Sequence, residues 1–481
     1  MKKVFDSDIL KFLNDLWEKG IYVWEENGIL KYKCKKELIS KELVEELRAN
    51  KLEIIDFFKR TEKNKFPLSP LQSAYLIGEE TDCELGNTNA HYYIEYESSY
   101  IEIKRLEMAI NTLIDKHDAL RMVVSKDKSN MILDKLPRYR VPVYSYTNFE
   151  MRQKVRETWE NYNYNPHLWP MFHLEVGKAK EGNDVLHISF DCLILDAWSA
   201  KKLIDEIFEL YSGQVLEFPQ LTFKSYMEQL KNYDYKLKDQ AESYWMEKIK
   251  SMVLDPLNTR IPITDVVRPK FARIEYTFSL EETKQFYEVI KRYRLTPAAT
   301  ICLFFMKTIC EKFQLQRLIL DVTLFNRIPL SKDIDKVIGE FTNVGLVTYC
   351  SMESVSVLQD AKKVQNQFWR LVQFREYDGT KLIKRLGKGS VGKAILPIVY
   401  TCMLDGTSAV KKSKFHEVYA LSKTPQVMLD HHVRDDLGSL KLSFDYVKDL
   451  FLYEDMQEMM KVYVQKIQNV INSPDLEHCN I

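Results

Sequence analysis

Apolar side chains recur at three- and four-residue spacing from Ile9 through Phe12 and Leu13 to Leu16, behind Asp6-Ser7-Asp8 and ahead of Gly20. That spacing predicts an amphipathic helix, capped by the acidic cluster and stopped by the glycine. The pattern then shortens. IYVWEENGILKYKC flanks Asn27-Gly28 with strand-like runs and predicts a hairpin. Ser40 stands in a capping position ahead of Leu43 and Leu47, and a further turn or two follows with Leu52, Ile55 and Phe58. The order over residues 1–60 is helix, strand, strand, helix, helix. A unit of about 60 residues is marginally stable alone, so it is expected to dimerise or to lean on its neighbour. Thr61 to Lys65 reads as a polar linker.

From Phe66 onward helices alternate with strand-like runs. IEIKRLEMAINTLIDKHDALRMVVS predicts helix, turn and strand; VLHISFDCLILDAWSAKKLIDEIFELY predicts strand, loop and long helix. ARIEYTFSL (strand), LTPAATICLFFMKTICEKF (helix) and LILDVTLF (strand) repeat the style, and a helix over Asp239 to Lys250 marks a boundary. The expectation is an α/β chain of two lobes, 66–238 and 239–475, behind the small first unit. No sequence repeat or low-complexity segment interrupts it.

Composition narrows the function classes. With 481 residues, 45% hydrophobic and 12% aromatic, the chain has material for more than one core. Lys+Arg and Asp+Glu stand at 69 each, which leaves no basic footprint for nucleic acid and no excess charge for a membrane surface. No run reaches the roughly 20 apolar residues of a membrane span, and the charged N-terminus is unlike a signal peptide. Eight cysteines scattered from Cys34 to Cys479 form no CxxC pair, and the nine histidines form no HExxH. A reducing, cytoplasmic setting without a metal is expected. No Gly-rich loop suggests a nucleotide.

One run stands out, ISFDCLILDAWSA, because burying an unpaired carboxylate is costly and this apolar stretch carries both Asp191 and Asp196. It takes its place in a series: FPLSPLQSAYLIG, KHDALR, DCLILDAWS, LTPAATICLFF, FNRIP, IGEFTNVG, LPIVYT and SKTPQVMLDH, in that order between Phe66 and about Ile471. The series resembles the ordered motifs of heterocyclisation domains, relatives of condensation domains in nonribosomal peptide synthetases. Asp191, Asp196 and Ser199 satisfy that family's Asp-x4-Asp-x2-Ser signature. Ordinary condensation domains carry His-His-x3-Asp-Gly there, and Asp191 and Cys192 stand at the two histidine positions. Residues 1–60 separately resemble the α-β-β-α-α docking domains of such synthetases. One departure is Glu79, where the first motif usually continues with arginine.

The resemblance implies a fold of two chloramphenicol-acetyltransferase-like lobes in a V, with a tunnel admitting a carrier arm from each side. It implies no bound cofactor; upstream and downstream carrier proteins would deliver substrates on phosphopantetheine arms. The amine of an aminoacyl thioester would attack the upstream acyl thioester. The side chain of Cys, or of Ser or Thr, would then attack the new amide, and loss of water would give a thiazoline or oxazoline.

Asp430 is expected to handle protons for the second step, with Thr401 orienting it and Asn343 holding the amide carbonyl. Asp196 is expected to pair structurally with Arg327, and Asp191 to shape the site or act in it. Cys192 and His187 are expected to pack in the core, and His431-His432 to lie at the surface or a tunnel mouth. The hairpin is expected to receive the C-terminal docking peptide of an upstream subunit, with Lys31 and Lys33 meeting its acidic residues. Retention of Thr401 and Asp430 sets cyclisation ahead of a condensation-only domain or a non-catalytic docking platform.

Overall fold

A computed structural model of the chain describes residues 4–35, 38–404, 413–472 and 475–477, so Cys479 lies outside the described residues. The chain divides into two compact units, Met1–Ser69 with Glu95–Tyr233 and Pro329–Glu340, and Pro70–Ile94 with Asp234–Ile328 and Phe341–Ile481. They are not consecutive halves. The division expected at 238 falls between Tyr233 and Asp234, and two short segments change sides. Each is fastened where it lies. Gly339 exchanges hydrogen bonds with Ser199 in the first unit, while Leu85 is fully buried in the second unit's core, where its carbonyl accepts from the Gln426 N–H.

The first unit opens with the expected helix–hairpin–helix–helix order: Asp6–Glu18, Tyr22–Glu26, Ile29–Lys33, Lys41–Ala49 and Lys51–Lys63. Asn27 and Gly28 both take positive φ, 52° and 80°, as a tight hairpin turn requires. Ser40 caps its helix by accepting from the Leu43 N–H. Two expectations are corrected. The stretch read as a linker is helix to Lys63 and strand from Lys65 to Pro67, because Thr61 is buried and turns its hydroxyl back onto the Phe57 carbonyl. Asp6 does not cap the first helix; its carboxylate is fully buried and reaches Arg60 through two 2.9 Å bonds and the Asp134 and Lys135 N–H groups at 3.0 Å.

These opening elements share a core with a small sheet further along the chain. Ile9, Leu10, Leu16, Ile54 and Phe57 pack with Val123, Met131 and Leu133. Val123 and Met131 lie in that sheet and Leu133 just beyond it; its central strand, Ser129–Ile132, runs between Lys65–Pro67 and Met122–Val124. In a separate sheet of the same unit, Phe172–Ala179 pairs antiparallel with Asp184–Asp191 and parallel with Val143–Tyr146. The helices Ile103–Lys116 and Ala197–Tyr211 pack on each other.

The second unit is built on a six-stranded mixed sheet, in the order Phe271–Thr277, Ser439–Val447, Leu429–Asp436, Ile398–Met403, Arg317–Phe325 and Thr342–Cys350. Its strands have two unlike faces, since successive side chains alternate. Tyr400, His431 and Phe444 point to one face and pack around Phe305 and Tyr463. Those come from the helices Pro297–Phe313 and Tyr453–Asn472. The first of these is buried at every position from Ala299 to Cys310, which explains its near-continuous apolar run. Among the described residues no helix is long and apolar enough to cross a membrane.

Candidate functional site

The two aspartates of ISFDCLILDAWSA are both spoken for by backbone. Asp191 ends its strand, fully buried, and its Oδ1 accepts the Leu193 N–H at 2.8 Å. Asp196 is the N-cap of Ala197–Tyr211, with Oδ1 accepting the Ser199 N–H at 2.6 Å. A side-chain acceptor there satisfies one of the orphan donors of the first helical turn. Ser199 in turn donates its hydroxyl to the Gly339 carbonyl at 2.8 Å and accepts the Gly339 N–H at 3.1 Å, and the Asp196 N–H also reaches that carbonyl. A Cβ at Gly339 would stand 2.2 Å from the Phe223 ring, so only glycine fits. The signature thus shapes a turn, starts a helix and fastens 329–340.

Arg327 lies in the other unit, 8% exposed, with its guanidinium carbon 4.2 Å from the Phe341 ring centroid. Cys192 is half-buried, and His187 is in the core as expected, with burial lowering its imidazole to about 4. Asn343 opens the strand edge beside 371–379: its amide donates to the Arg375 and Tyr377 carbonyls and accepts the Val344 and Gly379 N–H groups. Backbone occupies the whole amide, so holding a substrate carbonyl would require one of those bonds to open. Glu79 is half-buried, and burial raises its carboxyl to about 7.

Thr401 and Asp430 are brought together. They sit on neighbouring parallel strands, Ile398–Met403 and Leu429–Asp436, on the face opposite the helices. The Thr401 hydroxyl lies 3.4 Å from Asp430 Oδ1 and 2.9 Å from the Thr323 hydroxyl. Register fixes a row across five strands: Asp321 beside Val399, Val399 beside Asp430, Asp430 beside Asp445, and Asp445 beside Arg273. A second row sets Thr401 beside His432. His432 is therefore not a surface residue: it is 5% exposed, and Nε2 lies 3.2 Å from Asp430 Oδ2 and 3.4 Å from Asp445 Oδ2. Strand alternation sends its neighbour His431 into the helix-packed core, where burial pushes the imidazole down to about 3.

The row ends in a strong pair. Arg273 grips Asp445 with two bonds of 2.7 and 2.6 Å, and the Ser422 N–H adds a third at 3.0 Å. Such a bidentate pair is satisfied in itself and anchors the row. Asp321 differs. It is 7% exposed, its Oδ1 has no hydrogen-bond partner among the described residues, and burial first, then the charge of Asp430, raises its carboxyl to about 8. Asp321, Thr323 and Asp445 are not singled out by the sequence, and His432 is, but for the surface or a tunnel mouth. Their signal was the alternation itself: once LILDVTLF and LKLSFDYV are strands, Asp321 and Thr323, and Ser443 and Asp445, share a face. The face thus sets two linked hydroxyls, Thr323 and Thr401, against the Asp430 carboxyl, with a second carboxyl, Asp321, in the same row. Among the described residues no group of three or more His, Cys, Asp or Glu side chains could hold a metal ion.

Residues 62–480 match the condensation-domain family, and residues 9–60 match the TubC N-terminal docking domain. The chain belongs to the condensation-domain family of nonribosomal peptide synthetases and carries a docking domain at its front. It is 26% identical over 430 residues to bacitracin synthase 1 of Bacillus licheniformis, covering 85% of this chain and 8% of that protein. It is 24% identical over 392 residues to phenyloxazoline synthase MbtB of Mycobacterium sp. (strain MCS), covering 80% of this chain and 34% of that protein. The chain therefore spans only a small part of the curated relatives it matches. Its fold is that of the EpoB cyclization-docking bidomain from Sorangium cellulosum, with TM-score 0.78 at 20% identity over 97% of this chain and 98% of that one.

Proposed function

We propose that this chain is a heterocyclisation domain: it joins an upstream acyl thioester to a carrier-bound cysteine, serine or threonine, then closes the new amide to a thiazoline or oxazoline. Both reacting groups would arrive on the phosphopantetheine arms of partner carrier proteins, and the chain itself would need no bound cofactor. The observation that carries this reading is the Thr401–Asp430 pair on a buried polar sheet face. Amide formation alone needs no acid for a departing hydroxyl; cyclodehydration does. The absence of imidazoles at Asp191 and Cys192 weighs the same way. A phenyloxazoline synthase among the relatives and a cyclization bidomain of the same fold agree with it.

The test is the intact mass of the product released from a cysteine-loaded downstream carrier after an acyl-loaded upstream carrier is supplied. Wild type is expected to give the amide less one water. Asp430→Asn is expected to stop at the open amide, with ring formation lowered about 10²–10⁴-fold, the usual contribution of a positioned acid–base group. Wild type that stops at the open amide would leave condensation without cyclisation as the function.

A further inference from the structure

The cyclising reading needs two proton movements at one carbon. As the hemiaminal loses water, its hydroxyl must gain a proton and its nitrogen must lose one. One carboxyl serves both only in turn, whereas two carboxyls flanking the reacting group serve both at once. The second unit has that arrangement. Asp321 and Asp430 stand in the same row on the same face, two strands apart, with Val399 between them. Neighbouring strands are about 4.8 Å apart, so the two backbones are ~10 Å apart, too far for the carboxyls to share a proton directly but near enough to bracket a small group. Val399 and Thr323 are half-buried, whereas Asp321 and Asp430 are buried, which leaves the bracketed position more open than its flanks.

The two carboxyls are furnished differently. Asp430 has the Thr401 hydroxyl and the His432 ring against it, with Asp445 and Arg273 beyond. Asp321 has Val399 on one side and Leu346 on the other, and its Oδ1 is buried without a partner among the described residues. A carboxyl in an apolar place keeps its proton, and pairs of carboxyls in unlike surroundings divide acid and base roles between them. Burial and the charge of Asp430 agree, raising Asp321 to about 8.

Resting on the cyclising reading, we propose that Asp321 is the acid of ring closure and Asp430 its base. In the first half-step the substrate thiol or hydroxyl bonds to the amide carbon, and its proton ends on the carbonyl oxygen. In the second, the C–O bond breaks as Asp321 gives its proton to that oxygen. The C=N bond forms as Asp430 takes the nitrogen's proton, and water leaves. Asp321 is then ionised and Asp430 protonated. Proton exchange with water then restores both carboxyls, while the Thr401 hydroxyl, 3.4 Å from Asp430 Oδ1 and 2.9 Å from the Thr323 hydroxyl, keeps the base oriented.

The experiment tracks open amide and ring product separately, in the carrier assay above, for wild type and Asp321→Asn across pH. The variant is expected to form the amide within about threefold of wild type, which also shows it folded, and to lose ring closure by ~100-fold or more. Wild-type ring closure is expected to fall above about pH 8 while amide formation does not. Difference infrared spectroscopy supplies a readout independent of turnover: a protonated-carboxyl band that titrates away near pH 8 in wild type and is missing in the variant. A variant that cyclises as well as wild type, or a wild type lacking that band, overturns the proposal alone. Wild type that forms no ring overturns the cyclising reading and the proposal with it.

Discussion

Asp321 changes how the whole chain responds to pH. In the unfolded chain an aspartate titrates near 4, while in the folded chain burial holds this one at about 8. Between those values the native state keeps a proton that the unfolded state has lost, so stability falls as pH rises through that window and levels off above it. Asp321→Asn removes this penalty. Its melting temperature relative to wild type is expected to climb from about pH 5 to about pH 8 and then hold. Paired thermal melts measure it, and a difference that stays constant with pH means Asp321 is not protonated. Position by position, the sequence revealed this site unevenly. Thr401 and Asp430 were legible because two of the ordered motifs, LPIVYT and SKTPQVMLDH, contain them. Asp321 was not, since a single acid in LILDVTLF reads as a strand's exposed face. His431 and His432 look alike in sequence, and only the register separates a core residue from a site residue.

At the level of elements, most of the pattern carried through. The hairpin at Asn27-Gly28, the capped helix after Ser40, and the all-round apolar helix Pro297–Phe313 all follow from local rules. What local rules missed was the use of Asp6. An acid ahead of an amphipathic helix usually caps it. Here the Asp6 carboxylate is instead the acceptor for four hydrogen bonds that join the first helix, the third helix and the 134–135 backbone. Truncating the buried member of such a set leaves two backbone donors without their acceptor and Arg60 with Asp56 alone. Asp6→Ala is expected to cost ~1–3 kcal/mol locally. Hydrogen exchange over Asp6–Glu18 and Lys51–Lys63 reads this directly: protection in both helices should drop together, and unchanged protection would mean the apolar contacts alone hold them. Lobe boundaries were poorly legible for a related reason. The segment 329–340 belongs with the first unit through Ser199 and Asp196, partners more than a hundred residues away.

At the scale of the whole chain, the exposed hairpin Tyr22–Glu26 and Ile29–Lys33 bears on partners. Its two strands pair with each other in a two-stranded sheet, and Ile29 and Tyr32 are about half exposed, at 55% and 49%. A sheet edge of this kind takes another strand readily. In the chain alone Lys31 is engaged by Glu26. An acidic docking peptide would therefore have to compete for that lysine, while Lys33 is exposed nearby on the same strand. Exposed charge pairs contribute ~0.2–1 kcal/mol each, so reversing both lysines to glutamate is expected to weaken an acidic, strand-forming synthetic peptide by roughly tenfold at low salt, and less at high salt. Fluorescence anisotropy with that peptide measures it. Equal affinity would leave the lysines as an ordinary solvated face. Condensation between carriers added separately should be unchanged.

The clamp at Asp6 also bears on attempts to rewire assembly lines by exchanging their front pieces. A cut after residue 60 falls inside a helix and leaves its last turn, up to Lys63, to be finished by a foreign sequence. It also takes Asp6, Ile54 and Phe57 away from the Asp134 and Lys135 N–H groups and from Val123, Met131 and Leu133. The backbone N–H groups at 134 and 135 could be supplied by any host, because every residue but proline has one. The apolar seat could not. A graft that carries residues 122–135 along with the first sixty-seven keeps the adaptor and its socket as one part.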